Sequence, residues 1–104
     1  MRRSALVLLG LLLALPAVAD GDARRGAAFA RRNCGPCHAA GPTGASRQPA
    51  APPMRDLHWL FPVDQLAEAL ATSILTGHPG MPALTLTTER IDDLIAYLIS
   101  LEDR

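Results

Sequence analysis

The pentapeptide Cys34-Gly35-Pro36-Cys37-His38 limits the fold of this chain more than any other feature. It holds both cysteines of a 104-residue sequence, three positions apart. Cysteines that close cannot staple distant segments, so no disulfide framework replaces a hydrophobic core. The core itself is thin: only Phe29, Trp59, Phe61 and Tyr97 are aromatic, set among nine prolines. A chain of this size seldom stabilises itself on so little apolar volume. Something gathered by the two thiols and the imidazole is expected to fill the centre.

Hydrophobic residues make up 49% of the chain, but much of that lies at one end. Arg2 and Arg3 precede an apolar run from Ala5 to Leu15, then Pro16 and the small-residue triplet Ala17-Val18-Ala19. This is the three-part pattern of a secretory signal, cut after Ala19. An uncleaved anchor is the competing reading, but the run falls short of the roughly 20 residues a membrane span needs. The expected organisation is a cleaved signal at residues 1–19 and one domain at 20–104. The mature chain is then exported, to a periplasm, and spans no membrane. All ten basic residues are Arg, balanced by ten acids, and no basic block occurs. Nucleic-acid binding is not expected from such a chain, and the length excludes a multidomain enzyme.

Three helices are predicted in the mature chain. From Asp22 to Asn33, Ala23, Gly26, Ala27 and Ala30 recur at i, i+3, i+4 and i+7 with Phe29 beside them, and Asp20 or Asp22 caps the start. Residues 39–53, with four prolines, read as an irregular loop. Asp64 to Thr76 reads as a second helix, with Asp64 as N-cap, Leu66, Leu70 and Ile74 on one face, and Gly77 beyond its end. A Gly-Pro loop runs from Gly77 to Leu86. Thr87 or Thr88 then caps a last helix with Ile91, Leu94, Ile95, Leu98 and Leu101 in one stripe. No stretch alternates with period 2, so the chain is expected to be all-α.

C-x-x-C-H is the attachment signature of a c-type haem. Residues i and i+3 share one face of a helical turn, so both thiols can reach the two vinyl groups on one porphyrin edge. Cys34 and Cys37 become thioethers, and His38 is carried beneath the iron. The second imidazole nitrogen needs an acceptor, for which a backbone carbonyl between Pro49 and Pro53 is suited. A thioredoxin-like redox pair also has Gly-Pro between its cysteines, but that fold needs a βαβ pattern. A zinc site wants a second ligand pair at matching spacing, and His58 and His78 are scattered.

With these residues the chain resembles the class I cytochromes c over essentially all of its mature length. The family pattern is an N-terminal helix, C-x-x-C-H, a Pro-rich loop, a middle helix, a methionine loop and a C-terminal helix. Gly26, eight residues before Cys34, and Tyr97 in the last helix are similar to the family's close contact between its first and last helices. Ala30 stands where the family often has an aromatic, and Phe29 precedes it. The resemblance implies a cytochrome c fold, with three main helices around one covalently bound haem c.

Thr76-Gly77-His78-Pro79-Gly80-Met81-Pro82 resembles the family's methionine loop, which makes Met81 the second axial ligand. A thioether favours ferrous iron, and prolines restrict the loop that holds it. Met54 and His78 compete by residue type: Met54 as core or haem-edge packing, His78 as an alternative imidazole ligand or a loop residue. The indole N–H of Trp59 either donates to a haem propionate or the ring packs over the cofactor. Arg47 and Arg55 flank the same loop, each either a propionate partner or a solvated cation. Arg24, Arg25, Arg31 and Arg32 on the first helix either meet a redox partner or form a solvated face. The implied function is one-electron transfer by a soluble carrier with redox protein partners, and not catalysis. Alternatives are a relay subunit of a dehydrogenase or oxidase complex, an open-iron haem enzyme or gas sensor, and a thiol oxidoreductase.

Overall fold

A computed structural model describes residues 10, 21–72, 81 and 86–102. The expected signal segment, the loop around His78 and the end of the second predicted helix lie outside the described residues. Among the described residues four α-helices occur: α1 (Ala23–Asn33), α2 (Leu57–Leu60), α3 (Val63–Ala71) and α4 (Thr88–Glu102). A 3-10 turn, Met54–Asp56, leads into α2. No strand is present among the described residues, as the missing period-2 pattern predicts.

Helix α1 starts where a cap is available. The Asp22 carboxylate accepts from the Arg24 and Arg25 N–H groups at 2.8 and 3.1 Å, satisfying donors the helix leaves free. Its buried face consists of Gly26 and Ala30, with Ala27 and Phe29 packed at the margin. Small residues there allow close approach to α4. A Cβ added to Gly26 would overlap the Asp93 carbonyl oxygen and sit 2.8 Å from the Tyr97 Cβ. Ala30, where the family often has an aromatic, is fully buried.

Helix α4 supplies most of the core: Ile91, Leu94, Tyr97, Leu98 and Leu101 are buried. Thr87 is its cap, with Oγ1 accepting the Arg90 N–H at 3.2 Å. The predicted stripe is turned slightly, because Tyr97 takes an inward position and Ile95 is only half-buried. Each fully buried Leu or Ile contributes about 1.5–3 kcal/mol, so this one helix carries much of the folding free energy. Helices α1 and α3 and the 3-10 turn all pack on it.

Two expectations about the middle of the chain are corrected. Helix α3 begins at Val63, one residue before the predicted cap; Pro62 holds the N-cap position and Asp64 lies in the first turn. Its preset φ suits Pro62 to a helix start. The four-residue α2 was not predicted, since a single turn between Pro53 and Pro62 shows no periodicity.

Candidate haem-attachment site

The attachment motif forms the turn that closes α1. The Ala30 carbonyl accepts from both the Cys34 and Gly35 N–H groups, each at 2.8 Å. The Cys34 carbonyl then accepts from Cys37 at 3.1 Å and from His38 at 2.8 Å. These bonds wind Cys34–His38 as one further turn, so the cysteines and the histidine are set by a single short piece of backbone. Gly35 is required by the tightness of this winding: a Cβ there would overlap the Arg31 carbonyl oxygen.

Below the turn, residues 39–54 are held by specific bonds. Ala39 N–H donates to Ser46 Oγ at 2.9 Å, Gln48 N–H to the Cys37 carbonyl at 3.1 Å, and Met54 N–H to the Ala39 carbonyl at 2.8 Å. The Tyr97 hydroxyl donates to the Ala40 carbonyl and ties this loop to α4. At its far end the Pro52 carbonyl lies 2.6 Å from His38 Nδ1. A carbonyl only accepts, so Nδ1 carries a proton, and in the neutral ring the lone pair is on Nε2. The acceptor comes from the stretch expected to supply it.

Cys34 is half-buried against the core and Cys37 is exposed, and the two are not joined in a disulfide. Burial pushes the Cys34 thiol up to about 11. A reactive redox cysteine needs the opposite shift, toward a stable thiolate. The described residues are all helical and lack the βαβ pattern that a thioredoxin-like pair needs. Among the described residues no group of three or more His, Cys, Asp or Glu gathers as a metal site, which leaves the zinc reading without ligands there.

The donor set fits a haem. Two thiols and an imidazole stand on one turn. The loop that follows lines an open cavity of about 680 Å³, formed by residues 44–46, 49–53 and Arg55 and by none of the three attachment residues. Arg55 Nη1 is buried without a hydrogen-bond partner among the described residues. Trp59, Leu60 and Phe61 present apolar surface, with Trp59 79% exposed and its ring 4.5 Å from that of His58. Met81 is half-buried, and His78 lies outside the described residues. Met54 is 5% exposed and belongs to the core, one of the two packing roles expected for it.

One cluster near α1 was not anticipated. Asp93, 4% exposed, accepts from Arg25 Nε at 3.0 Å, Arg25 Nη2 at 3.2 Å and the Asp22 N–H at 2.7 Å. The hydrogen bond from Arg25, then that from Asp22, holds its carboxyl below the usual range. In sequence Asp93 follows Asp92, and nothing in its spacing marks the pair with Arg25.

An all-helical fold that ends its first helix in C-x-x-C-H defines a c-type cytochrome. The chain belongs to the family described as cytochrome c oxidase, cbb3-type, subunit III, which matches residues 21–98. No curated protein and no solved structure matches it significantly. Membership carries with it a covalently bound haem c, haem-based electron transfer and redox partners. Among the described residues no helix is long and apolar enough to cross a membrane.

Proposed function

We propose that the chain is a soluble periplasmic one-electron carrier, made by removal of residues 1–19. In this reading Cys34 and Cys37 form the thioethers, and His38 and Met81 are the axial ligands. When bound, the haem iron supplies a ferric/ferrous couple. The observation that carries the reading is the 2.6 Å contact of His38 Nδ1 with the Pro52 carbonyl. It fixes the ring's tautomer and orientation, leaves Nε2 for iron, and raises the imidazole's strength as a ligand. Met81 would supply a soft sulfur as the second ligand, which would raise the potential and keep exogenous ligands off the iron. Trp59 either donates to a propionate or packs over the ring.

The test is the absorption spectrum of the exported protein, ferric, ferrous and ferrous with carbon monoxide, beside Met81→Ala. A c-type ferrous spectrum, a near-infrared sulfur-to-iron band lost in the variant, and no change with carbon monoxide are expected. A wild-type spectrum that shifts with carbon monoxide would remove Met81 from the iron and favour an open-iron enzyme or sensor.

A second reading, a bound relay subunit of an oxidase or dehydrogenase, is favoured by two observations. The family's description names an oxidase subunit. Trp59, Leu60 and Phe61 also form a run of exposed apolar side chains, 79%, 55% and 41% accessible. Apolar surface of that kind suits a lasting contact better than a transient one. Elution of the native protein with a large membrane complex, and not as a free small protein, would decide for the relay.

A further inference from the structure

Three groups hold His38, and only one of them belongs to a side chain. The His38 N–H donates to the Cys34 carbonyl at 2.8 Å, which sets the peptide plane before the residue. The plane after it, between His38 and Ala39, is set by the Ala39 N–H, which donates to Ser46 Oγ at 2.9 Å. The ring itself meets the Pro52 carbonyl at 2.6 Å. With both flanking planes fixed, the Cα–Cβ bond of His38 has one direction, and Nδ1 is aimed at its acceptor.

The loop is shaped to deliver Ser46. Residues 42–45 and 47–50 are all exposed, and Ser46 between them is half-buried. Gly44, two residues earlier, has φ +95°, a left-handed conformation that glycine adopts at no steric cost. A Cβ there would meet nothing within 4 Å, so glycine serves the turn and not the packing. The kink lets the chain double back, and Ser46 meets Ala39 seven residues away. Main-chain bonds lock the surroundings: Gln48 N–H donates to the Cys37 carbonyl at 3.1 Å and Met54 N–H to the Ala39 carbonyl at 2.8 Å. Loss of the hydroxyl would leave the half-buried Ala39 N–H without its acceptor.

We propose that Ser46 is a positioning residue for the axial imidazole: through the Ala39 N–H it holds His38 in register with the Pro52 carbonyl. The proposal rests on the haem reading above. A hydrogen bond on the far nitrogen strengthens an imidazole as a donor and so favours ferric iron. A loosened bond therefore raises the potential.

The experiment compares haem-loaded wild type, Ser46→Ala and Ser46→Thr. Two quantities are measured: the reduction potential, and the solvent-exchange rate of the His38 Nδ1–H proton in the ferrous protein by nuclear magnetic resonance. In Ser46→Ala that proton should exchange about two- to tenfold faster, the factor that the net worth of one hydrogen bond supplies. The potential should rise, while the amide protons of Leu94 and Leu98 in α4 keep their wild-type rates. Ser46→Thr retains the hydroxyl and should match wild type in both quantities. An Ala variant with an unmoved potential or unmoved Nδ1–H exchange overturns the proposal, as does a Thr variant that behaves like Ala. So does an acceleration shared equally by the α4 amides, which would make Ser46 a stabiliser of the whole fold. A measurement on wild type covers the case in which Ser46→Ala does not mature. The Ala39 amide should be protected from exchange relative to that of the exposed Arg47; equal rates overturn the contact. A wild-type protein that is exported without colour would instead sink the haem reading, so the two failures are distinct.

Discussion

Replacing Gly26 by Ala sets two known effects against each other, and the structure decides the sign. In a helix interior Ala is favoured over Gly by about 0.8–1 kcal/mol, so on propensity alone the variant is more stable. The added Cβ, however, would overlap the Asp93 carbonyl oxygen and lie 2.8 Å from the Tyr97 Cβ. Neither neighbour is the movable tip of a side chain; one is the backbone of α4 and the other is attached directly to it. Relief requires α1 and α4 to separate. Separation would also stretch the Arg25–Asp93 contacts at 3.0 and 3.2 Å and the Asp22–Asp93 bond at 2.7 Å. Overpacking of this kind costs about 1–3 kcal/mol, occasionally more, and the lost hydrogen bonds add to it. After the propensity gain is subtracted, a net loss of about 1–2 kcal/mol remains. For a domain of this size that lowers Tm by roughly 5–15 °C. Thermal unfolding of the haem-loaded ferric protein, followed by far-ultraviolet circular dichroism, measures it. Ala28→Gly, on the exposed face of the same helix, is the control and should lose only the propensity difference. If Gly26→Ala melts at or above wild type, propensity has won, and the close crossing of α1 and α4 is wrong.

Three further outcomes are expected. Because the Asp93 carboxyl is held below its ordinary value in the folded protein, its contribution is present above the unfolded pKa of about 3.9 and is lost as pH falls through the lower folded value. Denaturant titrations of wild type and Asp93→Asn should therefore differ by a constant amount near neutrality, and the gap should close in acid; a gap that persists there would contradict the ion pair. Tyr97→Phe leaves the Ala40 carbonyl without its donor and should cost about 1–3 kcal/mol in chemical denaturation, with the haem spectrum unchanged. The mass of the exported protein should correspond to a chain beginning at Asp20 plus one haem, and retention of residues 1–19 would restore the membrane-anchor reading.

Much of the site was legible because its information is local. C-x-x-C-H places two thiols and an imidazole on one turn whatever else the chain does, and the winding through Ala30, Cys34 and His38 follows from that spacing. Asp22 as a cap, the small face of α1 and the apolar stripe of α4 are likewise written in intervals of three and four residues. Length and a sparse aromatic content already imply a bound group at the centre. Other features depend on which surfaces meet. Asp93 carries no local mark in the sequence; its partners, Arg25 and the Asp22 N–H, come from α1 and its cap about 70 positions away. The contact of Tyr97 with Gly26 was implied by the resemblance, but the Ala40 carbonyl that its hydroxyl meets is set by the fold. The one-turn α2 is too short for any period to show. Arg55 reads in sequence as a solvated cation or a propionate partner, and only the tertiary structure buries its Nη1. Spacing along a chain sets turns and helix faces. The partner of a buried polar group is set by the crossing of helices far apart in sequence, which no local pattern encodes.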